Sequence, residues 1–306
     1  MADAVVAPLP GPEAVTVPGR ARARTRSGGR AALLASAPLL LFAAVFFGLP
    51  LLAVLVGAFS VTDRKTDTTS FTTAHLAHSL QGPYWTAMVS SIRLSAITAF
   101  LGIVLGTLLA QAVVASRVRG LRTVVTTASG VLANFGGVPL AFAFIATLGI
   151  SGVVTQLFRL DSLGWSLYTE TGLAVVYLYF LVPLMVLVIA PALDGLRPQW
   201  REAAANCGAS PWRFWRHVGL PVLAPSLLGG FVLLFGTAFA AYATAAAMVG
   251  AALPLVTLQI ADALSGNVLV GQEGVALALA LDMVIVALLV MAVYLPLQRR
   301  SARWLR

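Results

Sequence analysis

Lysine and cysteine are all but missing from this chain: each occurs once, as Lys65 and Cys207. A single cysteine excludes an intrachain disulfide and any cysteine-based metal site. The single lysine follows Ala58-Phe59-Ser60-Val61-Thr62-Asp63-Arg64, with no glycine among them. That excludes a phosphate-binding loop of the Gly-x-x-x-x-Gly-Lys kind, so the chain is not expected to hydrolyse ATP itself. Histidine is also scarce. His75 and His78 form a His-x-x-His pair with no Glu or Cys beside it, and His217 stands apart. No metal site is expected from them. No His-Glu-x-x-His or Gly-x-Ser-x-Gly motif occurs in a setting that would support catalysis, so an enzyme is not expected.

Charge is the largest deficit. Charged residues make up 10% of the 306 residues, against about 25% in soluble domains. What fills the space is apolar: 59% of the chain is hydrophobic and the mean hydropathy is +0.92. This composition predicts an all-α, polytopic membrane protein, because a run of about 20 apolar residues spans a bilayer as a helix. Six spans are expected, at about 32–59, 86–115, 121–149, 171–193, 224–249 and 274–297. Several exceed what the hydrocarbon needs, which predicts tilt or protrusion.

The arginines give the topology. Five (Arg20, Arg22, Arg24, Arg26, Arg30) precede the first span, and Arg117, Arg119 and Arg122 lie between the second and third. Arg197, Arg201, Arg213 and Arg216 lie between the fourth and fifth, and Arg299, Arg300, Arg303 and Arg306 follow the sixth. Alternating helices put all of these on one side, so both termini are expected in the cytoplasm of a bacterial inner membrane. The +9 net charge is thereby accounted for by topology, without a nucleic-acid partner; the expected surroundings are membrane lipid. Residues 1–29 read as a disordered cytoplasmic tail rich in Ala, Pro, Gly and Arg, 30–300 as the transmembrane domain, and 301–306 as a cytoplasmic end. On the outer side, Tyr84, Trp85, Trp165 and Tyr168 stand where interfacial aromatic belts belong. No internal repeat is visible.

Within the spans four residues attract attention. Asn134 and Pro139 bracket Phe135-Gly136-Gly137-Val138 near the middle of the third span. Proline and paired glycines predict a kink there, with Asn134 as a polar contact on a pathway or, equally simply, a packing device. Arg93 in the second span and Asp282 in the sixth each lie about 11 Å in from the outer end of their helix. Intramembrane charges face a cavity or a partner, so the two are expected at similar depth and within reach of one another, with Asp282 contacting a cationic solute or, more simply, as a structural ion pair or with Arg93 snorkelling outward. The fifth span is lined with glycine and alanine, which predicts close helix packing.

The segment between the fourth and fifth spans, residues 197–221, carries the most local information. Pro198 suits a helix start, Ala203-Ala204-Ala205 favours the helix itself, and Gly208 stands where a C′ glycine ends one. Ser210-Pro211 reads as an N-cap followed by proline at the first helical position. A second helix is expected from Trp212 to Val218, broken by Gly219-Leu220-Pro221 before the fifth span. Trp212 and Trp215 stand three apart and share a helical face.

The pattern Glu202-Ala203-Ala204, then Gly208, then Val218-x-Leu220-Pro221 resembles the cytoplasmic loop of permease subunits of bacterial ABC importers, with Val218 in place of the usual isoleucine. The resemblance extends over roughly residues 30–300 as a type I importer permease. It implies that Glu202, Ala203, Ala204, Gly208, Ser210, Pro211, Trp212, Leu220 and Pro221 form a coupling helix and its turn, docked on an ATP-binding cassette subunit. ATP is then bound by that partner, and this chain needs no cofactor of its own. A second, different permease subunit and an external solute-binding protein are implied as further partners. Phe135 to Phe144 and Ser91-Ile92-Arg93-Leu94 resemble the spermidine/putrescine-type branch, which implies a polyamine or a related small solute such as a phosphonate. The competing expectation is an ion-coupled secondary transporter with Arg93 and Asp282 as its relay, although such proteins often carry more spans and internal repeats.

Overall fold

A computed structural model describes residues 29–63, 68–116, 118–265 and 272–302. The tail before Gly29, Arg64, Lys65, Arg117, Gly266, Asn267 and residues 303–306 lie outside these. The chain divides at Pro50 into two compact units. In the first, α1 (Gly29–Ala43) runs into a π-helical segment, Ala44–Gly48, with the rings of Phe42 and Phe46 stacked 4.4 Å apart.

The second unit contains most of α2 (Leu49–Ala58) and a short antiparallel hairpin, β1 (Ser60–Asp63) and β2 (Thr68–Phe71), with Ser60 opposite Phe71. This hairpin is a small addition to an otherwise helical chain. Next come α3 (Ala74–Ser79), α4 (Gly82–Ala115), α5 (Arg119–Asn134), α6 (Val138–Leu148), α7 (Val153–Phe158) and α8 (Glu170–Asp194). The chain finishes with α9 (Pro198–Asn206), α10 (Pro211–Phe214), α11 (Leu220–Phe239), α12 (Ala243–Met248), α13 (Val256–Ser265) and α14 (Glu273–Ala302).

Six helical stretches among the described residues are long and apolar enough to cross a membrane: Ser36–Ala58, Gly82–Ala115, Val138–Phe158, Glu170–Asp194, Pro211–Phe239 and Glu273–Arg299. The number agrees with the expectation, and two of the boundaries do not. The third span does not start at 121 and kink; α5 ends at Asn134, and a new helix begins at Val138. Gly137 takes φ +78°, and Pro139 sits in the first turn of α6, where its missing N–H costs no helical bond. The fifth span starts earlier and ends earlier than expected. Gly219-Leu220-Pro221 does not break it, because a π-helical turn, Trp215–Gly219, joins α10 directly to α11. The Leu220 amide reaches back five residues to the Trp215 carbonyl. This wider turn precedes Pro221, whose ring would otherwise meet the carbonyl four residues back.

The core lies where α4 crosses α8, with α11 packed on both, α5 on α8 and α14 on α11. Tyr177, Leu181, Met185 and Ile189 of α8 are all buried to 1% or less exposure. Thr169 caps α8, its hydroxyl accepting from the Gly172 amide at 3.3 Å. The close crossing depends on Gly102 and Gly106 of α4, since a β-carbon at Gly106 would lie 2.5 Å from Met185 Cβ and 2.9 Å from the Val182 carbonyl oxygen. The small-residue face expected on the fifth span is only partly used: Gly230 lies against Met185, while Gly236 faces open space.

Candidate functional site

The loop between the fourth and fifth spans folds as a helix, a tight turn and a second helix. Arg197 is extended at the N-cap, Pro198 opens α9, and Cys207 closes it. Gly208 then takes φ +73°. Its amide donates to the Ala205 carbonyl at 2.9 Å and the Ala209 amide to the Ala204 carbonyl at 2.9 Å. These paired 5→2 and 6→1 bonds make a Schellman end, which satisfies carbonyls that a helix terminus leaves open. A side chain at Gly208 would meet nothing within 4 Å, so the glycine is there for its backbone angle. Ser210 then caps α10, its hydroxyl accepting from the Arg213 amide at 3.3 Å.

This element is anchored at one end and free at the other. Phe214 is buried at 4% exposure and Trp215 packs against the core, edge-on to Phe214 at 6.0 Å. The Arg201 guanidinium lies 5.7 Å above the Phe214 ring, which ties α9 to α10. Trp212 is 72% exposed, so the two tryptophans do not act together as their spacing suggested. In α9 no residue is buried: Glu202 and Ala203 are exposed and Ala204 half-buried. Leu220 and Pro221 are also exposed, in the helix that leads into the fifth span. Behind α9 a cleft of about 430 Å³ separates it from the ends of α4 and α8, lined by Gln111, Leu193, Arg197, Arg201, Glu202 and Phe214. At the same end of the bundle, Arg122 of α5 pairs with Asp194, the last residue of α8.

The four residues singled out within the spans are not brought together. Arg93 pairs with Glu170 at 3.0 Å, with the two side chains 66% and 35% exposed. Asp282 is buried and accepts from the Ser79 hydroxyl at 2.7 Å. The expected approach of Arg93 to Asp282 is therefore replaced by two separate pairings, because α3 covers Asp282 and the start of α8 offers Arg93 a nearer carboxylate. Asn134 is exposed and donates to the Gly130 carbonyl of its own helix at 2.8 Å; Pro139 is exposed in the first turn after the break. Tyr84 does not face lipid: it is 8% exposed and donates to Gln272 at 2.8 Å. The two pairings differ in their expected cost. Replacing Arg93 by Gln changes stability by about 1 kcal/mol or less, as for other exposed pairs. Replacing Ser79 by Ala, which strips the buried carboxyl of its donor, costs about 1–3 kcal/mol. Thermal unfolding of the two purified variants in one detergent measures the difference.

What the sequence did not single out is a second helix break, just past the end of the fifth span. Between α11 and α12 the chain unwinds at Ala241 and Tyr242. The buried Tyr177 hydroxyl donates to the Ala241 carbonyl at 2.9 Å. Thr244 accepts from the Gly137 amide at 2.9 Å, so the two breaks are joined. Ser91 of α4 accepts from the Val256 amide at 2.9 Å close by. A cavity of only about 10 Å³ lies among Ser91, Ser95, Tyr177, Ala241 and Thr257, room for a water at most.

The chain is 32% identical over 94 residues to the Inner membrane ABC transporter permease protein YdcU of Escherichia coli, a match covering 30% of each chain. It is 38% identical over 68 residues to the Sulfate transport system permease protein CysT of the same organism, covering 22% of this chain and 24% of that one. These alignments span about a third or less of the relatives' length. The fold extends much further. A bacterial ABC transporter that imports the acidic polysaccharide alginate superposes with a TM-score of 0.67 at 19% identity, covering 89% of this chain and 96% of that one. The MetNI methionine ABC transporter superposes with a TM-score of 0.51 at 17% identity, covering 72% and 99%. Residues 102–303, which hold α9, α10 and both helix breaks, match the family described as binding-protein-dependent transport system inner membrane component, and the chain belongs to that family.

Proposed function

We propose that this chain is the membrane-spanning permease subunit of an ATP-driven importer, and that α9 and its turn couple it to an ATPase partner. The observation that carries the proposal is the state of α9: a helix closed by the Gly208 turn, tied to α10 through Arg201 and Phe214 and so to the fifth span through the π-helical turn, with no buried residue of its own. Such a helix projects a slim, alanine-lined surface with Glu202 exposed, which suits insertion into a groove. The arginine-rich end of the bundle is the cytoplasmic side in this proposal, with both termini there. Nucleotide-driven closure of the ATPase pair moves α9, and the continuous helix from Pro211 to Phe239 carries that motion into the membrane.

The remaining partners are a second permease subunit, an external solute-binding protein and the surrounding lipid. The cargo in this proposal is a small solute handed over by the binding protein. Sulfate, thiamine, alginate and methionine appear in the names of the relatives and structural neighbours, a spread that gives no preference to the polyamine expected from the Phe135–Phe144 segment. The alternative of an ion-coupled transporter has less support, because Arg93 and Asp282 pair separately, with Glu170 and with Ser79.

Purification of the tagged chain from its own membrane in mild detergent tests the proposal. The expected result is co-purification of an ATP-binding cassette subunit that is lost when Glu202 is replaced by Arg, with the chain itself still present. A stable chain that recruits no ATPase and transports on an imposed ion gradient overturns it.

A further inference from the structure

The two helix breaks differ in what causes them. The first is written locally: Gly137 holds φ +78° and Pro139 starts the next helix, so residues 134–138 cannot form continuous helix. The second has no such cause. Residues 237–249 read Thr-Ala-Phe-Ala-Ala-Tyr-Ala-Thr-Ala-Ala-Ala-Met-Val, without glycine or proline. Alanine is the strongest helix former, so local propensity favours an unbroken helix through Ala241 and Tyr242. Yet α11 ends at Phe239 and the first bond of α12 is from the Ala246 amide to the Tyr242 carbonyl, 2.8 Å. The Ala241 carbonyl is left outside both helices. A partly buried carbonyl left without a donor is costly, and the hydroxyl of Tyr177, 64 residues away, supplies the missing donor. Thr244 adds a second tether, to Gly137 of the permanent break.

This break, which local sequence opposes, is held by the distant Tyr177 hydroxyl and by the bond between Thr244 and the distant Gly137, and conflicts between local preference and fold concentrate at functional positions. We infer that Tyr177 and Thr244 are positioning residues that latch an otherwise helical segment, 237–249, in its broken form, and that release of the latch closes it into continuous helix. The latched and released forms present different backbone groups at the level of the permanent break. That this switch serves the transport path rests on the permease reading proposed above; the switch itself does not.

Hydrogen–deuterium exchange of the purified full-length chain tests it through the sign of the effect. In Tyr177→Phe, which keeps the ring and removes the donor, exchange of amides 240–246 is expected to slow about tenfold as the segment closes into helix. Thr244→Val is expected to act in the same direction. Adding Ala241→Gly to Tyr177→Phe makes the closed helix less favourable and is expected to restore the original exchange. A residue that merely stabilises the fold gives the opposite sign, so unchanged or faster exchange in Tyr177→Phe overturns the inference. Where Tyr177→Phe fails to accumulate, Thr244→Val decides it by the same criterion. This measurement needs neither ATPase nor cargo, so the permease reading can fail without touching it. In the assembled transporter, trapped nucleotide is expected to change exchange at 240–246 and leave 135–137 unaltered; equal exchange at 240–246 with and without nucleotide removes the gating role.

Discussion

Replacing Gly208 by valine is expected to reduce uptake and ATPase co-purification by more than tenfold while the chain remains folded in the membrane. The residue holds φ +73° in open space, so the substitution creates no clash with a neighbour. Its whole effect is conformational. A residue with a β-carbon pays roughly 1–2 kcal/mol in the left-handed region, and a β-branched one more. Relaxation would break the Gly208–Ala205 and Ala209–Ala204 bonds and swing α9 away from the Ser210 cap. Little of the bundle notices, because α9 buries nothing. A partner that must grip α9 at one angle notices fully. Asparagine, which tolerates this backbone region, is expected to retain most of the association. Parallel measurement of membrane abundance and pulled-down ATPase for the two variants checks the claim, and equal retention of partner in both sinks it.

The contrast between this loop and the helix breaks shows what sequence can and cannot encode visibly. Pro198, Gly208, Ser210 and Pro211 act on their own backbone and that of the next few residues. Their effect is therefore readable by position alone, and α9 begins and ends within a residue of where the pattern placed it. The number of spans was readable for a similar reason, since hydropathy over 20 residues depends on nothing outside the window. Pairings over long separations were not readable. Glu170 stands 77 residues from Arg93 and Ser79 203 residues from Asp282, and no local pattern chooses those partners over the Arg93–Asp282 pair that depth alone suggested. The break at Ala241 is the extreme case, because everything nearby in sequence argues for helix. The π-helical turn at Trp215–Gly219 is intermediate. Its glycine and proline were visible, but whether they end a helix or only widen one turn depends on Trp215, which packs so closely on Gly219 that a β-carbon there would lie 2.5 Å from its ring.

The position where substitution is most damaging to the fold itself lies in α4, not in the glycine-rich fifth span. Gly102, Gly106 and Ala110 recur every four residues, so they line one face of α4. That face meets α8, the most buried helix of the bundle. Lipid gives helices no hydrophobic reason to associate, so close approach and dispersion contact hold them together. Gly106→Leu would insert a side chain where even a β-carbon lies 2.9 Å from the Val182 carbonyl oxygen, an atom of the α8 backbone that cannot rotate away. The helices must separate, and the contacts of Met185 and Leu181 are lost with them. Overpacking of this kind costs about 3 kcal/mol, a large part of a typical domain's stability. The expected outcome is loss of the monodisperse peak in detergent size-exclusion chromatography. Gly130→Leu, at an α5 position with nothing within 4 Å, is expected to keep that peak. Gly106→Leu running as a monodisperse, thermally unaltered species would mean that α4 and α8 are not packed this closely in the membrane. The latch at Tyr177 would then lose its footing too, since the α8 backbone that aims its hydroxyl at Ala241 is held in place by this crossing.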